Sequence, residues 1–178
     1  MRNILYITLL IILSGCMSIK PGATNSAKKY YETFYVGKDG TQYFIKPLSF
    51  NDEDSNKELS LDITFRYKKV VKDSSKLNFS IEKSQKLMKS IDSLKISNDH
   101  QAILSYDIDL LFNEKDDDEY LSRFTTQIPL KNTHQLFDNN NWKFIIYSEK
   151  DKLSFKPTNK TQKIIRALRN DLFSIMYE

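Results

Sequence analysis

Leu59-Ser60-Leu61-Asp62-Ile63-Thr64-Phe65-Arg66-Tyr67 decides the fold. Apolar side chains at 59, 61, 63, 65 and 67 alternate with polar ones at 60, 62, 64 and 66, and successive side chains of an extended chain point to opposite faces. Strict alternation over this length predicts a strand with one buried face and one wet face. An amphipathic helix would instead group its apolar positions three and four apart.

Reading outward from this strand, the same period recurs. On the N-terminal side, Tyr30 to Val36 and Thr41 to Leu48 are aromatic and β-branched runs separated by Gly37-Lys38-Asp39-Gly40. Asp-Gly between such runs signals a hairpin, because the turn needs a positive φ that glycine adopts without a Cβ penalty. Asn51 to Lys57 reads as an acidic polar loop. On the C-terminal side, Leu77, Phe79 and Ile81 resume the alternation after a turn at Lys72-Asp73-Ser74-Ser75. Residues 84–96 fit two patterns: Leu87, Met88, Ile91 and Leu94 suit a short helix, Leu94 and Ile96 a strand end, and the strand reading is preferred for the latter part. Leu104, Tyr106, Ile108, Leu110 and Phe112 predict one further strand, and the acidic loop Glu114 to Glu119 leads to another over Tyr120 to Ile128, stopped by Pro129. Asn132 is placed to cap a single helical turn carrying Leu136 and Phe137. Trp142 to Ser148 and Lys152 to Lys156 form a second hairpin across Glu149-Lys150-Asp151.

After Pro157 the period changes. Thr158 or Asn159 can cap a helix with Ile164, Ile165, Leu168, Leu172, Ile175 and Met176 on one face and Lys160, Lys163, Arg166 and Arg169 towards the other. Eight or nine short strands with one terminal amphipathic helix predict an α+β, mainly β domain. An antiparallel β-sandwich is expected, with a barrel-like arrangement as the alternative and the helix covering a sheet or an open edge.

Composition narrows the function classes. The chain has 178 residues, 27 basic and 23 acidic side chains, and a formal net charge of +4. So small a surplus over mixed charges is not the footprint of a nucleic-acid binder. Of the four glycines, only Gly37 and Gly40 fall in the folded part, so phosphate-cradling loops and nucleophile elbows have no material to form from. The single cysteine is Cys16.

The start of the chain has its own logic. Met1-Arg2-Asn3 is a short positive region and Ile4 to Leu13 an apolar run. Such a run is too short for a hydrocarbon core of roughly 30 Å, which needs about 20 helical residues, but it suits the apolar region of a signal peptide. Leu13-Ser14-Gly15-Cys16 resembles the lipobox of bacterial lipoproteins, a likeness confined to positions 13–16. The resemblance implies cleavage between Gly15 and Cys16, a thioether-linked diacylglycerol on Cys16 and an acylated new amino group, palmitate being the expected chain. Each buried methylene contributes about 0.8 kcal/mol and two or more chains hold firmly, so this anchor is effectively permanent. Met17 stands where many Gram-negative lipoproteins retained in the inner membrane carry aspartate. The resemblance therefore implies the periplasm-facing leaflet of the outer membrane, or the outer leaflet of the cell membrane in a single-membrane cell. Residues 1–15 are then a signal peptide, 16–29 the lipidated cysteine and a flexible tether containing Pro21-Gly22, and 30–178 one globular domain. With Cys16 lipidated, no thiol remains for a disulfide, a metal or a nucleophile.

Candidate sites within the domain are few. His100 and His134 sit in polar contexts without ligand spacing, with Asp99 and Asp138 as their only notable neighbours, and surface histidines are the expectation. Asp52-Glu53-Asp54 and Asp116-Asp117-Asp118-Glu119 lack the glycine and closing glutamate of a calcium loop, and read as solvated loop tips. Asp107 and Asp109 share one strand face as plain alternation requires, which is thin ground for a carboxylate-pair hydrolase. Tyr31, Tyr35, Gly37 and Gly40, on the first hairpin near the tether, are the natural candidates for partner binding, together with a free sheet edge. No metal, cofactor or catalytic residue is expected. The expectation is a non-enzymatic, lipid-anchored binding or accessory subunit of an envelope assembly, with an inhibitor or immunity-type lipoprotein guarding against a toxin or lytic enzyme as the alternative.

Overall fold

The alternating stretch forms the centre of a single antiparallel sheet in the computed structural model, which describes residues 27–68, 74–149 and 151–176. The strands are β1 (Tyr31–Tyr35), β2 (Thr41–Asp52), β3 (Glu58–Tyr67), β4 (Ser74–Ser84), β5 (Ser93–Ser97), β6 (Ala102–Ser105), β7 (Ile108–Asp116), β8 (Glu119–Pro129), β9 (Lys143–Ser148) and β10 (Asp151–Pro157). They follow the order β6-β5-β9-β10-β2-β3-β4-β8-β7, with β1 added on β2. All ten hydrogen-bond into one curled sheet, a half-barrel, where two separate sheets of a sandwich were expected. Two helices, α1 (Leu130–Phe137) and α2 (Asn159–Leu168), complete the domain. Residues 1–15, Cys16 and the tether up to residue 26 lie outside the described residues, as do Lys72 and Asp73 of the expected turn.

In β3, Leu59, Leu61, Ile63 and Phe65 are buried. Its neighbours match them in register: Leu59 faces Ile81, Leu61 faces Phe79 and Ile63 faces Leu77. The opposite face of the central strands is polar and interlocked. Arg123 pairs with Asp62 and donates to Ser80 Oγ at 2.8 Å, while Asn78 donates to Asp62 at 3.0 Å and accepts from Thr125 at 2.8 Å.

Strand β2 runs to Asp52, past the expected end at Leu48, because a bulge re-phases it. Ile45 and Leu48 are both buried although three residues apart, and the register slips between them across Lys46 and Pro47. The bulge also divides the strand's other edge. β1 pairs with Thr41 to Ile45 and β10 with Phe50 to Asp52, so on this edge neither strand pairs with Ser49, which faces Ser60 of β3 on the other. Helix α2 supplies a partner: Thr161 Oγ1 accepts from Ser49 N at 3.0 Å and donates to Ser49 O at 2.8 Å. Thr158 caps the helix as expected, accepting from Thr161 N at 3.1 Å.

The helical tail then packs on the sheet through Ile164, Ile165, Leu168, Leu172, Phe173 and Met176. A π-turn over Arg169–Phe173 adds a residue to the turn and brings Phe173 inward beside Leu172, where the α-period alone leaves it out. Phe173 stacks on Phe137 of α1 at 4.2 Å. Helix α1 begins at Leu130, so Asn132 lies within it and does not cap it. Its last carbonyls are satisfied by the side chains of Trp142 and Asn98, which reach Leu136 O at 2.7 Å and 3.0 Å.

The run expected as one strand over 104–112 is two. β6 pairs with β5, β7 pairs with β8, and Tyr106-Asp107 bends between them. This one bend ties the two ends of the sheet together. Ser105 Oγ and Thr126 Oγ1 lie 2.7 Å apart, and Thr126 Oγ1 donates to Asp107 O at 2.6 Å. Since Thr126 has one hydroxyl proton and gives it to Asp107, Ser105 is the donor in the first bond. Residues 85–92 contain no helix, and the strand end proposed at Leu94 and Ile96 is β5.

Candidate functional site

The first hairpin places its side chains by register. Tyr31 opposite Ile45, Thr33 opposite Tyr43 and Tyr35 opposite Thr41 share the inner phase; Glu32 opposite Phe44 and Phe34 opposite Gln42 share the outer one. On the inner side Tyr43 stacks on Phe65 at 5.1 Å and meets Tyr31 at 6.1 Å. Burial raises the phenol pKa of both tyrosines, with Asp171 adding to the effect at Tyr31, and Tyr31 and Tyr67 at Tyr43. Tyr31 is thus half-buried packing, whereas Tyr35 at the tip is 81% exposed.

The turn explains both glycines. Val36 N donates to Gly40 O at 2.9 Å and Gly40 N to Gly37 O at 3.2 Å, closing a tight 3-10 turn. Gly40 has φ 92°, and a Cβ there would collide with the Tyr67 carbonyl oxygen. Gly37 has φ 64° with open space around it. Gly40 is therefore a packing requirement of the hairpin and Gly37 a conformational one.

The outer phase holds residues that sequence reasoning missed. Phe34 is 55% exposed and meets Phe44, itself exposed, edge-to-face at 5.4 Å. Lys46 on the same face is 3.3 Å from Glu32, and Lys29 Nζ lies 4.8 Å from the centre of the Tyr30 ring. A signal was available: Phe34 falls in phase with Glu32, and Phe44 with Lys46, and a face shared with charges is not a core face. Residues 27–46 carry Lys28, Lys29, Lys38 and Lys46 against two acidic residues. The chain enters the fold immediately before this hairpin. Ala27 is buried and its N–H donates to Asp171 at 2.7 Å, so the fold begins three residues before the expected Tyr30.

A second apolar surface lies at the seam where the sheet's ends meet. Edge strand β7 exposes Leu110, Leu111 and Phe112, and neighbouring Leu104 and Tyr106 are also exposed. A bulge between Leu110 and Phe112 turns the strand at this point. Here the sequence is acidic: Asp107, Asp109, Glu114, Asp116, Asp117, Asp118 and Glu119 stand against Lys115. β2 is midway along the strand order, so the lysine-bearing hairpin and the acidic seam are as far apart along the sheet as the topology permits.

The remaining candidates are tied up in structure. Asp107 sits in the bend and Asp109 on β7, so they do not share a strand face. His134 Nε2 is 3.2 Å from Phe173 O and its ring meets Phe173 edge-on, while His100 is exposed. Glu53, expected at a solvated loop tip, is gripped by Lys143 at 2.7 Å, by Lys156, and by Ser154 Oγ at 2.6 Å, contacts that pull its carboxyl pKa down from 4.5 to about 2. Asp117 takes φ 50° in the two-residue β7–β8 turn.

Two clefts open among the described residues. One of about 420 Å³ is lined by Asn98, Asp99, Asn141 and Trp142, with Asp99 already accepting from Asn139 and Asn141 at 2.6 and 2.8 Å. A groove of about 860 Å³ mixes Lys57, Lys83, Lys86 and Lys89 with Asp54, Glu119 and Glu149. Among the described residues, no group of three or more His, Cys, Asp or Glu is placed to hold a metal ion. No family model, curated protein or solved structure matches this chain.

Proposed function

We propose that this chain is a bacterial envelope lipoprotein, anchored through lipids on Cys16 and facing the periplasm from the outer membrane. In a single-membrane cell it would stand on the outer leaflet. Its folded domain serves as a non-enzymatic binding or accessory subunit of an envelope assembly. The anchor rests on Leu13-Ser14-Gly15-Cys16. The binding role rests on one observation above all: a strand at the end of the sheet order, β7, that exposes Leu110, Leu111 and Phe112. An exposed apolar edge is the usual template for strand addition by a partner. The acidic residues around it suit a partner strand with basic flanks.

The same acidic rim supports a second reading, an inhibitor or immunity-type lipoprotein that occupies a cationic toxin or lytic enzyme. Crosslinking in cells from position 111 separates the two readings: recovery of a resident envelope protein favours the assembly role, and recovery only after exposure to a secreted competitor favours protection. Recovery of neither removes β7 as the docking edge. For the anchor, Cys16→Ser should move the protein out of the detergent phase and abolish its fatty-acid label. Equal partitioning of wild type and variant refutes the lipoprotein reading.

A further inference from the structure

We infer that the outer face of the β1–β2 hairpin lies against the bilayer, so that the domain rests on the membrane with the acidic seam turned away from it. The inference builds on the anchored reading above and specifies how the anchored domain is oriented. Three observations converge on one occupant, a bilayer containing anionic headgroups. First, the chain enters the fold at Ala27, which is buried and pinned to Asp171, directly before β1. The stretch from Cys16 to Ala27, at roughly 3.3 Å per residue, holds this hairpin within about 36 Å of the lipid, which gives the surface a high effective concentration.

Second, the exposed residues there are the kinds that settle at a membrane interface. Phe34 and Phe44 form an exposed aromatic pair and Tyr35 projects from the tip. Aromatic rings sit favourably at headgroup depth, and lysines beside them draw the surface towards anionic lipid. Third, the charge distribution selects an orientation. The hairpin stretch carries four lysines against two acids, whereas the seam is acidic apart from Lys115. An anionic surface attracts the first and repels the second, and their separation along the sheet turns that difference into a torque on the domain. Weak individual contacts suffice, because the tether has already met the entropic cost of bringing the domain to the surface.

The test uses the whole chain, processed in cells and reconstituted in vesicles of phosphatidylethanolamine and phosphatidylglycerol. Phe34→Trp reports on the hairpin and Phe112→Trp on the seam, with buried Trp142 a constant background in both. Lipids brominated near the headgroup should quench the F34W signal about twofold or more, since interfacial side chains sit roughly 5–10 Å deep, and should leave F112W unchanged. Phe44→Trp, on the same outer face and also exposed, repeats the measurement should F34W fold poorly. Vesicle flotation distinguishes the two levels of failure. Protein that floats with F34W and F44W unquenched, or with F112W quenched equally, overturns the orientation while leaving the anchor intact, and assigns the aromatic face to a protein partner. Protein that does not float refutes the anchor and the orientation together.

Discussion

The β1–β2 hairpin and the β6–β7 seam both expose large apolar side chains but are backed in opposite ways. Beneath the hairpin, Tyr43 stacks on Phe65, which in turn meets Phe173 of the helical tail at 5.8 Å. At the seam, Leu111 and Phe112 stand on an edge strand whose bulge keeps them out of the core. The lesson is that exposed aromatics on one sheet can have different foundations: those of the hairpin share their strands with a packed stack on the opposite face, and those of the seam stand on a bulged edge strand. The largest expected effect tests this contrast directly. Phe65→Ala should cost about 3–5 kcal/mol, as truncation of a fully buried aromatic does. Phe112→Ala should stay within about 0.5 kcal/mol, as exposed substitutions do. Urea denaturation of the two variants measures both, and comparable losses would erase the distinction.

Gly40 probes the same contrast at the backbone. Its φ of 92° and the nearby Tyr67 carbonyl leave no room for a Cβ. Gly40→Ala should therefore destabilise by about 1–3 kcal/mol and loosen the hairpin locally, read as faster amide exchange at Val36 N, which donates to Gly40 O. Unchanged exchange there would mean the turn is not what holds the hairpin on β2. At the seam the corresponding fastening is a side-chain relay, Ser105 to Thr126 to the Asp107 carbonyl. Thr126→Val keeps the shape and strands both partners, at a cost of about 1–2 kcal/mol. Faster exchange should then appear in β6 and β7, with the hairpin unaffected. If exchange rises in the hairpin as well, the two regions open as one unit.

What the sequence made legible follows the same division. Strand β3 and the Thr158-capped helix could be read because local pattern and tertiary burial agree there: alternation in the first, a cap and a 3.6-residue stripe in the second. The break at Tyr106-Asp107 could not, because apolar alternation runs through it unchanged and only long-range pairing assigns β6 and β7 to different neighbours. The bulge at Lys46-Pro47 was hidden similarly, since Ile45 and Leu48 show their common face only once β3 is alongside. Phe34 was passed over because an aromatic in a strand reads as core until its partner strand fixes its phase. Tyr35 and the glycine turn were legible from local chemistry alone. The charge contrast between hairpin and seam was present in the sequence, but gains meaning only when the sheet order sets the two apart.

The smallest expected effect concerns the far end of β2, where Glu53 follows the strand's last residue, Asp52. Glu53 holds Lys143 of β9 and Lys156 of β10 at the end of β2 opposite the hairpin turn, and those two ammonium groups and the Ser154 hydroxyl depress its pKa to about 2. A carboxyl whose folded pKa lies below its unfolded value contributes stability that is complete above the unfolded value, near 4.5, and is lost as pH falls towards about 2. The carboxylate is partly exposed, so water screens the pair and the gain is modest. Urea midpoints should fall between pH 5 and pH 2 in the wild type, and Glu53→Gln should flatten part of that slope while leaving the midpoint at pH 2 nearly unchanged. Acid should also free the β2–β10 junction before the β1–β2 hairpin, because β1 is held by its ladder and the Tyr43 stack, and its single described carboxylate pair, Glu32 with Lys46, is more exposed than Glu53 and joins one lysine where Glu53 joins two. Exchange measured at pH 3 that rises first in β1 would reverse this order and show the hairpin to be the weaker half of the strand.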